Sequence, residues 1–284
     1  MQNFNNKVAA ITGAGSGIGR ALAMNLAQQG CNLAISDVSE AGLADTAEML
    51  GRYPVKVTIQ KLDVSDKEAV FAWADQVVAD HGKVSMVFNN AGVALAGTVA
   101  ALEISDFEWI MNINFYGVLY GVKAFLPHME RGGEGHIINI SSVFGLASQP
   151  LMSGYNASKF AVRGLSESLR QDLESTGSPV SMTCIHPGGI KTNIAKSSRM
   201  SSSTASITGT DDNDTVANFE KMFITTPDKA AKTILNGVKK NKRRVLIGPD
   251  AHFLDIMVRL LPTSYQWIFT KVVGLQKKMN TKAA

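Results

Sequence analysis

The chain has 284 residues, 45% of them hydrophobic and 18% charged, ordinary values for a globular protein with one large core. Its net charge of +4 is small and gathered near Lys239–Arg244 and in the last fifteen residues, too little and too local for a nucleic-acid partner. Two cysteines and five scattered histidines argue against a disulfide framework and show no ligand spacing, so no metal is expected.

The N-terminus enters a strand within a few residues, with no charged segment leading into an apolar one, and no apolar run is long enough to span a bilayer. A cytoplasmic location is the expectation. Val8–Thr12 is a short apolar run of strand character. The turn G-A-G-S-G-I-G, from Gly13 to Gly19, follows at once, and Gly17–Gln29 then carries apolar residues at helical spacing until Gly30. Strand, glycine turn and helix form the context of a dinucleotide site. Glycines let the backbone approach a pyrophosphate, and the helix N-terminus supplies amide hydrogens and a positive dipole. Position 18 is Ile18, so the spacing is T-G-x-x-x-G-x-G through Thr12, Gly13, Gly17 and Gly19.

The second strand, Asn32–Ser36, ends at Asp37. A carboxylate there can accept from both ribose hydroxyls of NAD and would repel a 2′-phosphate. No Lys or Arg follows it directly, and Ser16 rather than a basic residue precedes Gly17. NAD(H) is therefore expected over NADP(H). Asp37 could also open the next helix beside a Ser39 cap, and the two roles are compatible. Strand and helix stretches continue to alternate: Ser39–Leu50, Val55–Leu62, Asp66–His81, Val84–Asn89, Ser105–Met129, His136–Ser141, Ser153–Ser175, Val180–Ile185, Asp228–Lys240 and Val245–Ile247. The strands are apolar on both faces, as parallel strands covered by helices should be. The expected fold is α/β: a doubly wound, mostly parallel seven-stranded Rossmann sheet with helices on both faces.

Tyr155 and Lys159 lie four apart in Y-N-A-S-K, on one face of the expected helix. A free phenol has a pKa of about 10 and is a poor base at neutral pH. A neighbouring ammonium favours the phenolate, which makes the pair a proton-transfer device. Ser142 lies thirteen residues before Tyr155, just past an apolar strand and so at its carboxyl end, where ligands bind in open α/β sheets. Its hydroxyl can donate to an oxygen on which charge develops. Ser141 is the rival, because adjacent strand residues face opposite ways.

With these residues in hand the chain resembles the short-chain dehydrogenase/reductase family, from about Lys7 to Thr192 and more loosely to Gly248. The ordered motifs carry the likeness: the glycine turn with Gly13, Ser16, Gly17, Ile18 and Gly19; Asp63-Val64, like the family's adenine-holding pair; and Asn89-Asn90-Ala91-Gly92. Asn114, Ser142, Tyr155 and Lys159 match the catalytic set, and Pro187-Gly188 with Ile190 and Thr192 matches the segment that cradles the nicotinamide. The resemblance implies that Lys159 also bonds the nicotinamide ribose and that Asn114 anchors a water linking Lys159 to solvent; Asn112 is the plausible wrong choice. It implies hydride transfer between NAD(H) and an alcohol or carbonyl compound, in a homodimer or homotetramer joined through helices Ser105–Met129 and Ser153–Ser175.

Val93, Leu95, Phe144, Leu146, Leu151 and Met152 flank these motifs and suggest a small hydrophobic alcohol or carbonyl substrate. The catalytic domain is expected over residues 1–250. A polar stretch at about 193–216 reads as a flexible substrate loop, disordered without ligand. Residues 251–284 read as an apolar and basic helical extension that covers the pocket or the body of the domain, forms a subunit interface, or lies on a membrane surface. Two further functions stay open: an NADPH-dependent carbonyl or 3-oxoacyl reductase, and a non-catalytic dinucleotide sensor.

Overall fold

All five residues of β1 (Val8–Thr12) are buried, because the strand lies inside the sheet and helices cover both of its sides. Its period-2 alternation divides them. Ala9 and Ile11 join one apolar core with Leu22, Leu26, Leu33 and Phe88. Val8 and Ala10 join the other with Val87, Phe125 and Ile137. A computed structural model of the chain describes residues 1–194, 198–208 and 223–283.

The elements follow in chain order: α1 (Gly17–Ala27), β2 (Asn32–Asp37), α2 (Glu40–Leu50), β3 (Val57–Lys61), α3 (Lys67–His81), β4 (Met86–Asn89), β5 (Leu95–Ala96), α4 (Ile104–Met111), α5 (Gly117–Arg131), β6 (Gly135–Ile140), α6 (Ser153–Ser175), β7 (Val180–Pro187), β8 (Arg199–Met200), α7 (Ser203–Thr208), α8 (Pro227–Lys239), β9 (Arg244–Ile247), α9 (Pro249–Leu260) and α10 (Tyr265–Ala283). Seven strands form one parallel sheet in the order β3-β2-β1-β4-β6-β7-β9. The expected seven-stranded α/β fold is the fold found. From β1 the chain winds outward through β2 and β3, then returns to β4 and winds the other way. That reversal between β1 and β4 opens a crevice at their carboxyl ends.

Helix starts follow local chemistry. Ser39 caps α2 by accepting from the Gly42 amide at 3.1 Å, and Asp66 caps α3 from Ala69 at 3.0 Å. The long helix expected over 105–129 is interrupted. A π turn, Asn112–Tyr116, separates α4 from α5, and such turns frequently mark functional sites. A second sheet, β5 with β8, pairs only Leu95 with Arg199 and Ala96 with Met200. The expected structureless loop thus contains a strand and the short helix α7; residues 195–197 and 209–216 of it lie outside the described residues.

Beyond Gly248 the chain folds back on the domain. Met257 and Tyr265 bury against Ala147, and the Tyr265 hydroxyl accepts from the Ser148 amide at 3.2 Å. Among the described residues, no helix is long and apolar enough to cross a membrane. Cys31 and Cys184 are buried free thiols, and burial pushes both up to about 12.

Candidate active site

The crevice is a cleft of about 1120 Å³, larger than a site for one drug-sized molecule needs. One end is built where β1 meets β4. Thr12 Oγ1 donates to the Phe88 carbonyl at 3.3 Å and accepts from the Asn90 and Ala91 amides at 3.0 and 3.1 Å. Asn90 Nδ2 returns two bonds, to Thr12 O at 2.9 Å and Gly13 O at 3.1 Å. The threonine and asparagine thus lock the two strand ends together, and the glycine turn hangs from that lock.

Two glycines of the turn need φ values other residues avoid: +67° at Gly13 and +52° at Gly17. A Cβ on Gly13 would lie 2.8 Å from Ala91 Cα, and one on Gly19 would lie 2.1 Å from Gly13 O. Gly19 does not line the cleft; it lets α1 press against the turn. Ser16 precedes α1 without capping it by its side chain, so the first-turn amides keep no side-chain acceptor, and Ser16, Gly17 and Ile18 line the cleft. Bare helix-start amides with a positive dipole suit a pyrophosphate.

Asp37 closes β2 beside this turn. Its Oδ2 accepts from the Gly15 amide at 2.8 Å and its Oδ1 from the Ser39 amide at 2.9 Å. The carboxylate is held at the cleft edge with acceptor capacity remaining. Arg20, unassigned from sequence, also lines the cleft. Its guanidinium binds the Gly15 and Gly42 carbonyls and Thr46, and stands 3.5 Å from Asp45. Asp63 and Val64 line the cleft as well; Asp63 Oδ1 holds the Ser65 amide and hydroxyl, and Val64 packs on Gly117. Across the cleft stand Pro187, Gly188, Ile190 and Thr192. A Cβ on Gly17 would lie 3.0 Å from Thr192 Cγ2, so the two walls approach closely there. These donors and acceptors fit a bound dinucleotide.

The other end of the cleft gathers Ser142, Tyr155 and Lys159, with Asn114 behind them. Strand alternation sorts the adjacent serines. Ser141 Oγ donates to the Lys159 carbonyl at 2.8 Å, within the fold. Ser142 Oγ accepts from the Phe144 amide at 3.1 Å, and its hydroxyl stands near that of Tyr155, where it favours the phenolate. His186, unassigned from sequence and fully buried, binds the Ser142 carbonyl through Nδ1 at 2.9 Å. Burial takes its pKa down to about 4, so it stays a neutral buttress.

Asn114 lies in the π turn and is completely buried, whereas Asn112 is exposed. Asn114 Oδ1 accepts from Val93 N at 2.9 Å, and Nδ2 donates to Val93 O at 3.0 Å and Ser158 Oγ at 3.1 Å. Its amide side chain ties the loop after β4 to α6. Gly92 fits between this amide and the lysine: a Cβ there would lie 3.2 Å from Asn114 Oδ1 and 3.3 Å from Lys159 Nζ.

Lys159 Nζ donates to the Ile140 carbonyl at 3.1 Å and stands 5.7 Å from the centre of the Tyr155 ring. The expected lowering of the tyrosine pKa is not found. Burial among Leu95, Ile110 and Met152 raises it, and the neighbouring Ser142 hydroxyl opposes that rise. Lys159 itself is lowered by burial from 10.5 to about 8. Between those values the unfolded chain binds the proton more fully than the folded one, so stability rises with pH across that window. Below it the cost is about 3 kcal/mol. Lys159→Met should therefore melt above the wild type at pH 7, and the advantage should fade as pH rises toward 10.5. Parallel melting curves across that range would contradict this account of the lysine.

Val93, Phe144 and Met152 line the cleft as expected positions of a substrate pocket, but Leu95 and Leu151 do not. Leu95 turns into the small core with Ile110 and Tyr155. Leu151 adopts φ +66° and gives its carbonyl to Gly97 N at 2.7 Å. Leu146 lines a separate cavity of about 440 Å³ with Phe160 and Tyr265. The sequence reading missed Trp109, Ile194, Met200, Phe223, Leu254 and Phe269, apolar residues brought to the cleft from distant segments. It also missed Asp250. Asp250 Oδ2 accepts from Gly189 N at 2.6 Å, while Oδ1 is buried without a hydrogen-bond partner beside Gly188.

The profile of the short chain dehydrogenase family matches residues 7–202. SadH of Mycobacterium tuberculosis, whose name places it among the oxidoreductases, is 48% identical over 268 residues, covering 94% of this chain and 95% of the relative. A short-chain dehydrogenase/reductase from Burkholderia phymatum, solved with NAD, superposes with a TM-score of 0.86 at 32% identity, covering 94% of this chain and 97% of that one. An alcohol dehydrogenase from Thermococcus sibiricus, solved with 5-hydroxy-NADP, superposes with a TM-score of 0.71 at 27% identity, covering 85% and 95%.

Proposed function

The chain belongs to the short-chain dehydrogenase family, and we propose that within it the protein is an NAD(H)-dependent oxidoreductase interconverting a hydrophobic alcohol with its ketone or aldehyde. The observation that carries this reading is the convergence of Ser142, Tyr155 and, one helical turn on, Lys159 in the same cleft as the glycine turn. A bound nicotinamide would supply or accept the hydride. Tyr155 supplies or takes the proton on the substrate oxygen, and Ser142 holds that oxygen in place. Because burial raises its pKa, Tyr155 keeps its proton at neutral pH and is set as the acid of carbonyl reduction. Lys159 and Asn114 position that face of the cleft, and Lys159 is the group we assign to the nicotinamide ribose. Gly13, Ser16, Gly17 and Ile18 take the pyrophosphate side, Asp63, Val64, Asn90 and Ala91 the adenosine side, and Pro187, Gly188, Ile190 and Thr192 the nicotinamide side.

Apolar lining from Val93, Trp109, Phe144 and Met152 supports a hydrophobic substrate. The half-exposed aromatic residues Tyr116 and Phe160 on the helical layer formed by α4 to α6 support a homodimer or homotetramer joined there. Absorbance at the reduced-nicotinamide band, with a panel of alcohols and ketones and both cofactors, tests the activity; no turnover with any pairing would reject it.

Asp37 carries the cofactor preference. Relatives solved with NAD and with an NADP derivative both share this fold, so the choice is local. A hydrogen bond to a charged acceptor contributes about 1.5–3 kcal/mol. Asp37→Ala should therefore lower the NAD-to-NADP ratio of kcat/KM about 10- to 100-fold. Its loss also frees the Gly15 amide, which weakens both cofactors, so the ratio is the readout. An unchanged ratio would remove Asp37 from this role.

A further inference from the structure

Exposed apolar residues concentrate at the C-terminus. Of the sixteen exposed large hydrophobic residues among those described, seven lie between Phe253 and Leu275. On α9, Phe253, Ile256 and Leu260 follow at i, i+3 and i+7 and share one face; Phe253 is 66% and Leu260 74% exposed. On α10, Trp267, Lys271 and Leu275 follow at i, i+4 and i+8. Trp267 is 66% exposed, and Lys271 Nζ lies 5.3 Å from its ring centre. The rest of each helix is occupied: on α9 Met257, at the border of the exposed stripe, buries on the domain and Leu254 lines the cleft, and on the opposite face of α10 Tyr265 buries on the domain and Phe269 lines the cleft.

Charge on the same segment is segregated. From Pro249 onward the sequence carries five Lys or Arg and only two acidic residues, Asp250 and Asp255. Both acids turn inward. Asp250 binds Gly189 N, and Asp255 is paired with Arg244 and Arg259. Lys271, Lys277, Lys278 and Lys282 have no acidic residue near them in sequence.

We propose that α9 and α10 form a docking surface for an anionic lipid bilayer, on which the protein lies without spanning it. An apolar face bordered by a tryptophan with Lys271 beside it, in a segment whose sequence adds further lysines, is the pattern of an interfacial helix. Basic residues next to it gain from the negative surface potential of the lipid. A second copy fits less well, because a two-fold contact would set this basic face against itself. Nucleic acid fits less well, because the exposed stripe is apolar. The inner faces of the two helices wall the cleft, so a docked bilayer lies one helix diameter, about 10 Å, from the cleft.

The test uses the full chain and vesicles of phosphatidylcholine alone or mixed equally with phosphatidylglycerol. Sedimentation should show partitioning onto the mixed vesicles at least about tenfold stronger than onto neutral ones, weakened by high salt. The triple variant Phe253→Ser, Ile256→Ser, Leu260→Ser should lose that partitioning while keeping the wild-type melting temperature. As a readout that does not depend on that variant folding, tryptophan emission should shift to the blue on mixed vesicles and cease to shift in Trp267→Phe. Absence of wild-type binding to mixed vesicles would overturn the proposal. So would an oligomer, seen by light scattering in the wild type without lipid, that dissociates in the triple variant.

Discussion

Tyr155→Phe should lower turnover by about 10²- to 10⁴-fold, the usual worth of a positioned acid–base group, while cofactor affinity stays near the wild-type value. The substitution removes one oxygen and keeps the ring, which packs with Ile110 and Met152. The fold therefore loses at most about 1 kcal/mol for the polar contact with the Ser142 side chain. Phe cannot deliver a proton to the substrate oxygen, and Ser142 keeps its role of orienting that oxygen. Single-turnover rates and a cofactor titration by fluorescence separate the two effects. Turnover within tenfold of wild type would remove Tyr155 from the chemistry; loss of cofactor binding in step with turnover would assign it to binding instead.

Gly19→Ala should be the most damaging single methyl in the cofactor half. The new Cβ would lie 2.1 Å from Gly13 O, 2.7 Å from Asn90 Nδ2 and 2.8 Å from Gly13 C. These atoms cannot swing aside as the end of a long side chain could. Asn90 is tied to Thr12 and Gly13, and Thr12 to β4. The helix must therefore move off the sheet or the lock must open, at a cost of about 3 kcal/mol or more. Gly164→Ala is the contrast. Gly164 is exposed on α6, with nothing within 4 Å of the added carbon, so alanine should stabilise by about 0.5–1 kcal/mol. Thermal melts of the two variants should move in opposite directions. A Gly19→Ala protein that melts like the wild type and binds cofactor as tightly would show that α1 does not need this close approach.

Much of the architecture was legible because it depends on short-range rules. Alternation along Val8–Thr12 and helical spacing after Gly17 follow from backbone geometry, and each repeats often enough to outweigh local exceptions. The glycine turn was legible for the same reason: positive φ at Gly13 and Gly17 is a demand that neighbouring residues cannot relieve. The four-residue step from Tyr155 to Lys159 needs only one helix to bring the two together.

The rest was decided by contacts between segments far apart in the chain. The π turn at Asn112–Tyr116 has no local signal; it turns Asn114 toward Val93 and Ser158, which only the folded sheet brings near. Strands as short as Leu95–Ala96 and Arg199–Met200 are invisible to periodicity and exist because each finds the other. Leu95 and Val93 looked equivalent in sequence, yet one fills a core and the other lines the cleft. Asp250 and Phe269 reach the cleft from a segment that local reading could not orient. The proton affinities of Tyr155 and Lys159 belong to this second group as well. Sequence placed a cation near a phenol and implied an acidic tyrosine. The tertiary structure buried both groups and aimed the ammonium at Ile140, so desolvation governs both, raising one pKa and lowering the other. Residue spacing determines which groups can meet; the dielectric around them is a property of the packed whole.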